Sequence, residues 1–207
     1  MSENGKEIEV KFYLADPPRL LQRLQALGAG CQQPRVYEAN LRFDTPDRQL
    51  SRSLCALRLR MDTAARMTYK GPPLDDAGAR LRQELEFTVS DFDMARAFLE
   101  ALGYQVMVMY EKYRATYRLG RLVVTLDEMP FGTFAEIEGP GGEAIQAAAL
   151  QLGLDWEQRI LDSYLMLFDM LKARLGLTFN DLSFENFQGL TIPPAALGAK
   201  PADGEKL

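Results

Sequence analysis

The chain has 207 residues, 47% of them hydrophobic and 26% charged, with a formal charge of −5. That length and balance suit one globular domain with a proper core, and the negative sign argues against a broad nucleic-acid-binding surface. Histidine is absent, which excludes His-based triads, His-ligated zinc and phosphohistidine chemistry.

Cys31 and Cys55 lack CxxC spacing and read as reduced packing residues of a cytosolic protein. The opening "MSENGKEIEV" has no apolar leader core, and no apolar run reaches membrane-spanning length. The expected location is the cytoplasm, without a membrane partner.

In chain order, "KEIEVKFYL" (6–14) predicts a first strand. Asp16 then caps a helix with Pro17 and Pro18 in its first turn, Leu20, Leu21, Leu24 and Leu27 on one face, and Gly28 as stop. "RVYEANLRFDT" (35–45) is a second strand, ended by Pro46. Residues 55–63 and 66–72 read as a hairpin, and 79–89 as a further strand. Asp91 caps a second helix that stops at Gly103. Strands follow at 106–119, 121–130 and 133–139, then helices at 142–154 and 163–177. Both early helices end in "ALG", a hint of a two-fold repeat. From residue 178 the chain turns Pro/Gly/Ala-rich and loses periodicity, so residues 1–177 read as the domain and 178–207 as a tail.

Strand side chains alternate faces, so Glu7, Glu9 and Lys11 share one face of the first strand and Ile8 and Val10 the other. The same alternation places Arg58 with Arg60, Arg82 with Glu84 and Glu86, Lys112 with Arg114, and Glu136 with Glu138. Lys70 and Asp127 extend the set. For any one strand, a solvated outer face explains this, because exposed ion pairs are worth little. Over the whole set that explanation weakens. The polar positions are mostly Glu, Arg and Lys, and amphipathic helices are available to cover the apolar faces. The alternative is an antiparallel barrel with a charged interior. Empty, it would be costly; filled, it suits a polyanion with a metal, because Arg and Lys match phosphate oxygens and carboxylates match Mg2+ or Mn2+. "YKGPP" (69–73) is no P-loop, lacking the upstream glycine and the following Ser or Thr.

The series "EIEVK", "FDTP", "ALRLR", "TYKGP", "RQELEF", "EKYR", "LDEMPFGTFAEIEG" and "DSYLML" resembles the CYTH superfamily, the triphosphate tunnel metalloenzymes. It is most similar to the class IV adenylyl cyclase–like bacterial branch, across residues 5–172 in order. The resemblance implies an α+β fold: an eight-stranded antiparallel closed barrel, a tunnel with a charged interior and helices outside. It implies Glu7, Glu9, Glu136 and Glu138 as ligands of Mg2+ or Mn2+, with Asp127 assisting. Lys11, Arg58, Arg60, Lys70, Arg82 and Arg114 become substrate-binding residues, and Glu84, Glu86 and Lys112 catalytic ones. Asn40 and Arg42 depart from the pattern, standing where many relatives carry an acidic and an aromatic residue. The implied substrate is a small triphosphate: tripolyphosphate, ATP or thiamine triphosphate. Hydrolysis is the preferred activity, because water needs no further recognition. A class IV adenylyl cyclase is the alternative, and a non-catalytic polyphosphate-binding module the third.

Overall fold

A computed structural model describes residues 5–204. The strands are β1 (Lys6–Leu14), β2 (Gly30–Asp44), β3 (Ala56–Met61), β4 (Ala65–Lys70), β5 (Leu74–Asp76), β6 (Ala79–Val89), β7 (Gln105–Leu119), β8 (Leu122–Met129), β9 (Gly132–Glu138) and β10 (Arg159–Ile160). The helices are α1 (Pro17–Ala26), α2 (Gln49–Arg52), α3 (Phe92–Ala101), α4 (Gly142–Gln151), α5 (Tyr164–Leu175) and α6 (Pro194–Leu197).

Eight strands pair antiparallel in the order β1-β9-β8-β7-β2-β3-β4-β6, and β6 returns to β1 through Glu7↔Arg82 and Glu9↔Arg80. The sheet is therefore a closed ring, as expected from the barrel reading of the alternating charges. The short strands β5 and β10 lie outside the ring order. β10 takes up the edge of β1 at Lys11 and Phe12, where β6 has left it.

The strand expected at 35–45 begins at Gly30 instead. Its register against β7 shifts between Cys31 and Gln33 and again between Gln33 and Val36. Such bulges break the two-residue period, which is why the sequence pattern misses this half of the strand.

Asp16, Asp91 and Ser163 each cap a helix through the side chain, accepting from the amides of Arg19, Met94 and Met166. α1, α3 and α4 all stop at a Leu-Gly pair, with Gly28, Gly103 and Gly153 at φ +75°, +92° and +66°. Only glycine takes that left-handed turn without strain.

The helices cover much of the outer face, while Leu85 and Phe87 of β6 remain exposed. Val10, Phe12, Val124 and Ile137 pack under α1 and α4 through Leu20, Leu24, Ile145 and Leu152. Phe43 and Leu59 pack under α3 through Ala95 and Leu99. A third cluster gathers Tyr110, Phe131 and Phe134 with Tyr164, Leu167 and Phe168 of α5.

The stretch from residue 178 also lies against the barrel. Leu182 exchanges backbone hydrogen bonds with Met109 and Glu111, and Phe187 and Leu197 join the α5 cluster. Asp203 accepts the amides of Ala15 and Asp16 at 2.8 and 2.7 Å. Cys31 is exposed and Cys55 only partly buried, so the expectation of packed cysteines does not hold for Cys31. Among the described residues no helix is long and apolar enough to cross a membrane.

Candidate active site

The ring turns the charged faces inward. Cross-strand neighbours share a face, and the register sets Lys11 beside Glu136, Glu9 beside Glu138, Lys70 beside Glu84, and Arg114 beside Asp127. Glu7, Glu9, Lys11, Lys112 and Asp127 are all buried, Asp127 completely. Ions in such a place must find partners.

One group surrounds Asp127. Arg114 donates to both its oxygens, Lys112 Nζ lies 3.1 Å from Oδ2, and the Tyr164 hydroxyl donates to Oδ2 at 2.8 Å. Arg114 also bonds Glu136, whose other oxygen is 2.7 Å from Lys11 Nζ. Burial would raise the Glu136 carboxyl, but Lys11, Arg114 and Lys112 outweigh it and hold Glu136 well below the usual range. The Tyr164 phenol is pushed well up by burial and by the Asp127 and Glu136 charges, so it stays a proton donor to Asp127.

A second group lies on β3, β4 and β6. Glu86 accepts from Thr68 at 2.8 Å and sits 3.4 Å from Arg58 and 3.3 Å from Arg60. Arg58 also reaches the Tyr110 hydroxyl at 3.4 Å. Glu38, on β2, is 3.7 Å from Arg60 and 3.5 Å from Lys112. Burial acts to raise it, yet Lys112, Arg114, Arg60 and Arg58 bring it down to about 2.

The third group is rich in acid. Lys70 reaches across to Glu7 (2.6 Å to Oε1) and lies 3.9 Å from Glu84, while Arg80 bonds Glu9. Burial and the charges of Glu9 and Glu84 push Glu7 up to about 8 against the pull of Lys70. Glu9, equally buried, is drawn down to about 2 by Lys70, Arg80 and Lys11. Glu138 is raised by burial, then by Glu84 and Glu9. Among the described residues no three acidic side chains have converged into a finished metal cage. The donor chemistry nevertheless fits a hard divalent cation. These are carboxylate oxygens that disfavour one another's ionisation, and a cation among them would remove that penalty.

Every residue expected at the site lies on the inner face of the ring except in one respect. Arg82 turns its guanidinium to backbone carbonyls, those of Gly71 at 2.6 Å, Leu54 at 2.7 Å and Lys70 at 3.2 Å. It braces the barrel rim. Sequence reasoning passed over Glu38 and Arg80, although both have the parity of residues it named, Asn40 and Arg82 respectively. It also gave no role to Tyr164, which arrives from a helix and carries no strand period. Buried Glu38 Oε2, Asn40 Oδ1, Thr125 Oγ1 and the Nε atoms of Arg58, Arg60 and Arg80 have no hydrogen-bond partner. So many unpaired polar atoms inside one barrel mark a space built for a polar guest.

The family model for the CYTH domain matches residues 5–161. No curated protein matches the sequence. Among solved structures, a candidate adenylate cyclase from Vibrio parahaemolyticus is 24% identical over 81% of this chain and 99% of its own, with TM-score 0.73. The PH1012 protein of Pyrococcus horikoshii is 28% identical over 76% and 96%, with TM-score 0.66. HpAC1 of Hippeastrum, described as a candidate adenylyl cyclase with a dominant triphosphatase activity, is 20% identical over 84% and 97%, with TM-score 0.57.

Proposed function

The chain belongs to the CYTH family, and from that premise we propose that it is a cytoplasmic, divalent-metal-dependent triphosphatase. The observation that carries this reading is the barrel interior, where buried carboxylates and buried guanidinium and ammonium groups stand together with unpaired polar atoms between them. Neither a metal nor a polyphosphate alone matches that mixture; the two together do.

In this reading Glu7, Glu9, Glu136 and Glu138 hold Mg2+ or Mn2+, with Asp127 assisting. A cation bound there neutralises phosphate charge and polarises phosphoryl oxygens. Lys11, Arg58, Arg60, Lys70 and Arg114 clamp the phosphates, and Arg82 supports them from the rim. Phosphoryl transfer depends mainly on such positioning and charge stabilisation. Glu86 is engaged by Thr68 and two arginines, which leaves it to orient the clamp. Glu84 accepts no hydrogen bond among the described residues and meets only Lys70, at 3.9 Å, which leaves its other oxygen to orient water and take its proton. Water attacks the terminal phosphorus as the bond to the bridging oxygen breaks. The leaving diphosphate departs with that electron pair, and Lys112 stabilises its charge.

Chromatography of products from ATP, tripolyphosphate and thiamine triphosphate, each with Mg2+ and with Mn2+, tests this. Orthophosphate with the matching diphosphate is expected, and chelation should stop its release. Cyclic AMP and pyrophosphate as the main products of ATP would replace the hydrolase with a cyclase. Tight binding without products would leave a polyphosphate-binding module.

A further inference from the structure

Arg42 sits on the inner face of β2, opposite Arg58 of β3 and Val108 of β7. Its neighbours are the wrong sign. Burial, then the nearby Arg58 and Arg82 charges, lower its pKa against the pull of Tyr110 and Asp44. Asp44 cannot serve it as a partner. Its Oδ1 accepts from the amides of Thr45 and Leu50 at 2.8 and 2.9 Å, and its Oδ2 from the amide and hydroxyl of Ser51 at 2.9 and 2.6 Å.

The contrast with the other interior arginines is sharp. Arg58 and Arg60 have Glu86, Arg80 has Glu9, Arg114 has Asp127 and Glu136, and Arg82 has its carbonyls. Arg42 alone among these has no hydrogen bond and no ion pair within the described residues. Around it, Asn40 is fully buried with Oδ1 unpaired, and Arg58 Nε is unpaired as well.

An inward guanidinium without a counter-ion is costly unless an anion arrives with the ligand. Its planar fork matches phosphate oxygens in pairs. The two triphosphate classes differ at their ends. Inorganic tripolyphosphate ends in a charged phosphoryl group at both ends, whereas a nucleoside triphosphate has one end esterified to a neutral sugar. A sugar beside Arg42 would leave the cation uncompensated.

We infer that Arg42 grips a charged phosphoryl end of the substrate and so makes the barrel selective for inorganic tripolyphosphate over nucleoside triphosphates. This rests on the triphosphatase reading for turnover, but binding tests it separately.

The experiment compares the full-length chain with Arg42→Gln and Arg42→Lys, measuring kcat/KM and calorimetric Kd for tripolyphosphate and ATP with Mg2+. Arg42→Gln should lose at least tenfold on tripolyphosphate, about 1.4 kcal/mol, while ATP changes by less than about threefold. Arg42→Lys should fall between, keeping the charge without the fork. The ligand-free Tm of Arg42→Gln should match or exceed that of the parent, since an unpaired cation has gone. Equal losses on both ligands, no loss on tripolyphosphate, or a lower Tm with equal losses would each overturn the inference. Turnover indifferent to Arg42 defeats the selectivity alone; binding of tripolyphosphate that depends on Arg42 but gives no products defeats the hydrolase alone.

Discussion

Lys70 of β4 reaches past β6 to Glu7 of β1, donating to both carboxylate oxygens with Nζ 2.6 Å from Oε1. This contact spans the seam where β6 meets β1 and the sheet becomes a ring. Even so, burial and two neighbouring carboxylates hold Glu7 up near pH 8. The contact at the seam therefore leaves Glu7 favouring a further cation beside it.

That gives Glu7 a pH signature. Its folded pKa of about 8 exceeds the ordinary 4.5, so between these values the folded state holds a proton that the unfolded state has lost. Stability from this group is full below pH 4.5 and declines as pH rises through 8. Glu7→Gln should flatten that decline. At pH 9 without metal, its Tm should exceed the parent's by about 4 °C, roughly 1–2 kcal/mol for a chain of this size. Thermal melts across pH 5–9 check this; parallel slopes for the two proteins would contradict it.

Glu136 lies between Lys11 and Arg114. Glu136→Gln should leave both cations short of a partner and weaken the metal site, so turnover should fall by at least ~100-fold, or about 2.7 kcal/mol in the barrier. The ligand-free protein should also melt several degrees lower, since breaking a buried pair is destabilising. Saturating tripolyphosphate should restore the lost stability by supplying the missing negative charge. Activity at limiting Mg2+ equal to the parent's would remove Glu136 from the metal site.

Arg58→Ala and Arg60→Ala should each raise KM or lower kcat for a triphosphate by at least tenfold, about 1.4 kcal/mol. Each also frees Glu86 of one cation, and Arg60→Ala takes one from Glu38 as well. Burial then raises those carboxyls, so the variants should lose stability as pH rises above the usual carboxylate range. Steady-state kinetics with melts at pH 6 and pH 9 check both parts, and unchanged kinetics would place these arginines outside the clamp.

Asp203 is buried and accepts two backbone amides from the turn between β1 and α1. Asp203→Ala leaves both donors unpaired, which should cost about 1–3 kcal/mol and lower Tm by several degrees. Removing residues 178–207 should cost much more, because fully buried Leu182 and buried Phe187 leave with the segment. Calorimetry on the two variants measures the ranking, and a truncated chain as stable as the parent would make this segment dispensable.

The inner faces were legible in the sequence because a strand's two-residue period is local. Glu7, Glu9 and Lys11 share a face whatever else the chain does, and the same holds for Arg58 with Arg60 and for Glu136 with Glu138. The CYTH motifs carried the ring on the same residues. Pairing was not legible. That Lys70 meets Glu7, that Arg114 bridges Asp127 and Glu136, and that Arg82 faces carbonyls depend on distances between strands far apart in the chain. The opposite shifts of Glu7 and Glu9, two residues apart with equal burial, follow from which cations the closed ring brings to each. Residues 178–204 stayed hidden for the converse reason. They dock through single anchors such as Leu182, Phe187 and Asp203, which leave no period to read, and only a finished barrel offers the surface that receives them.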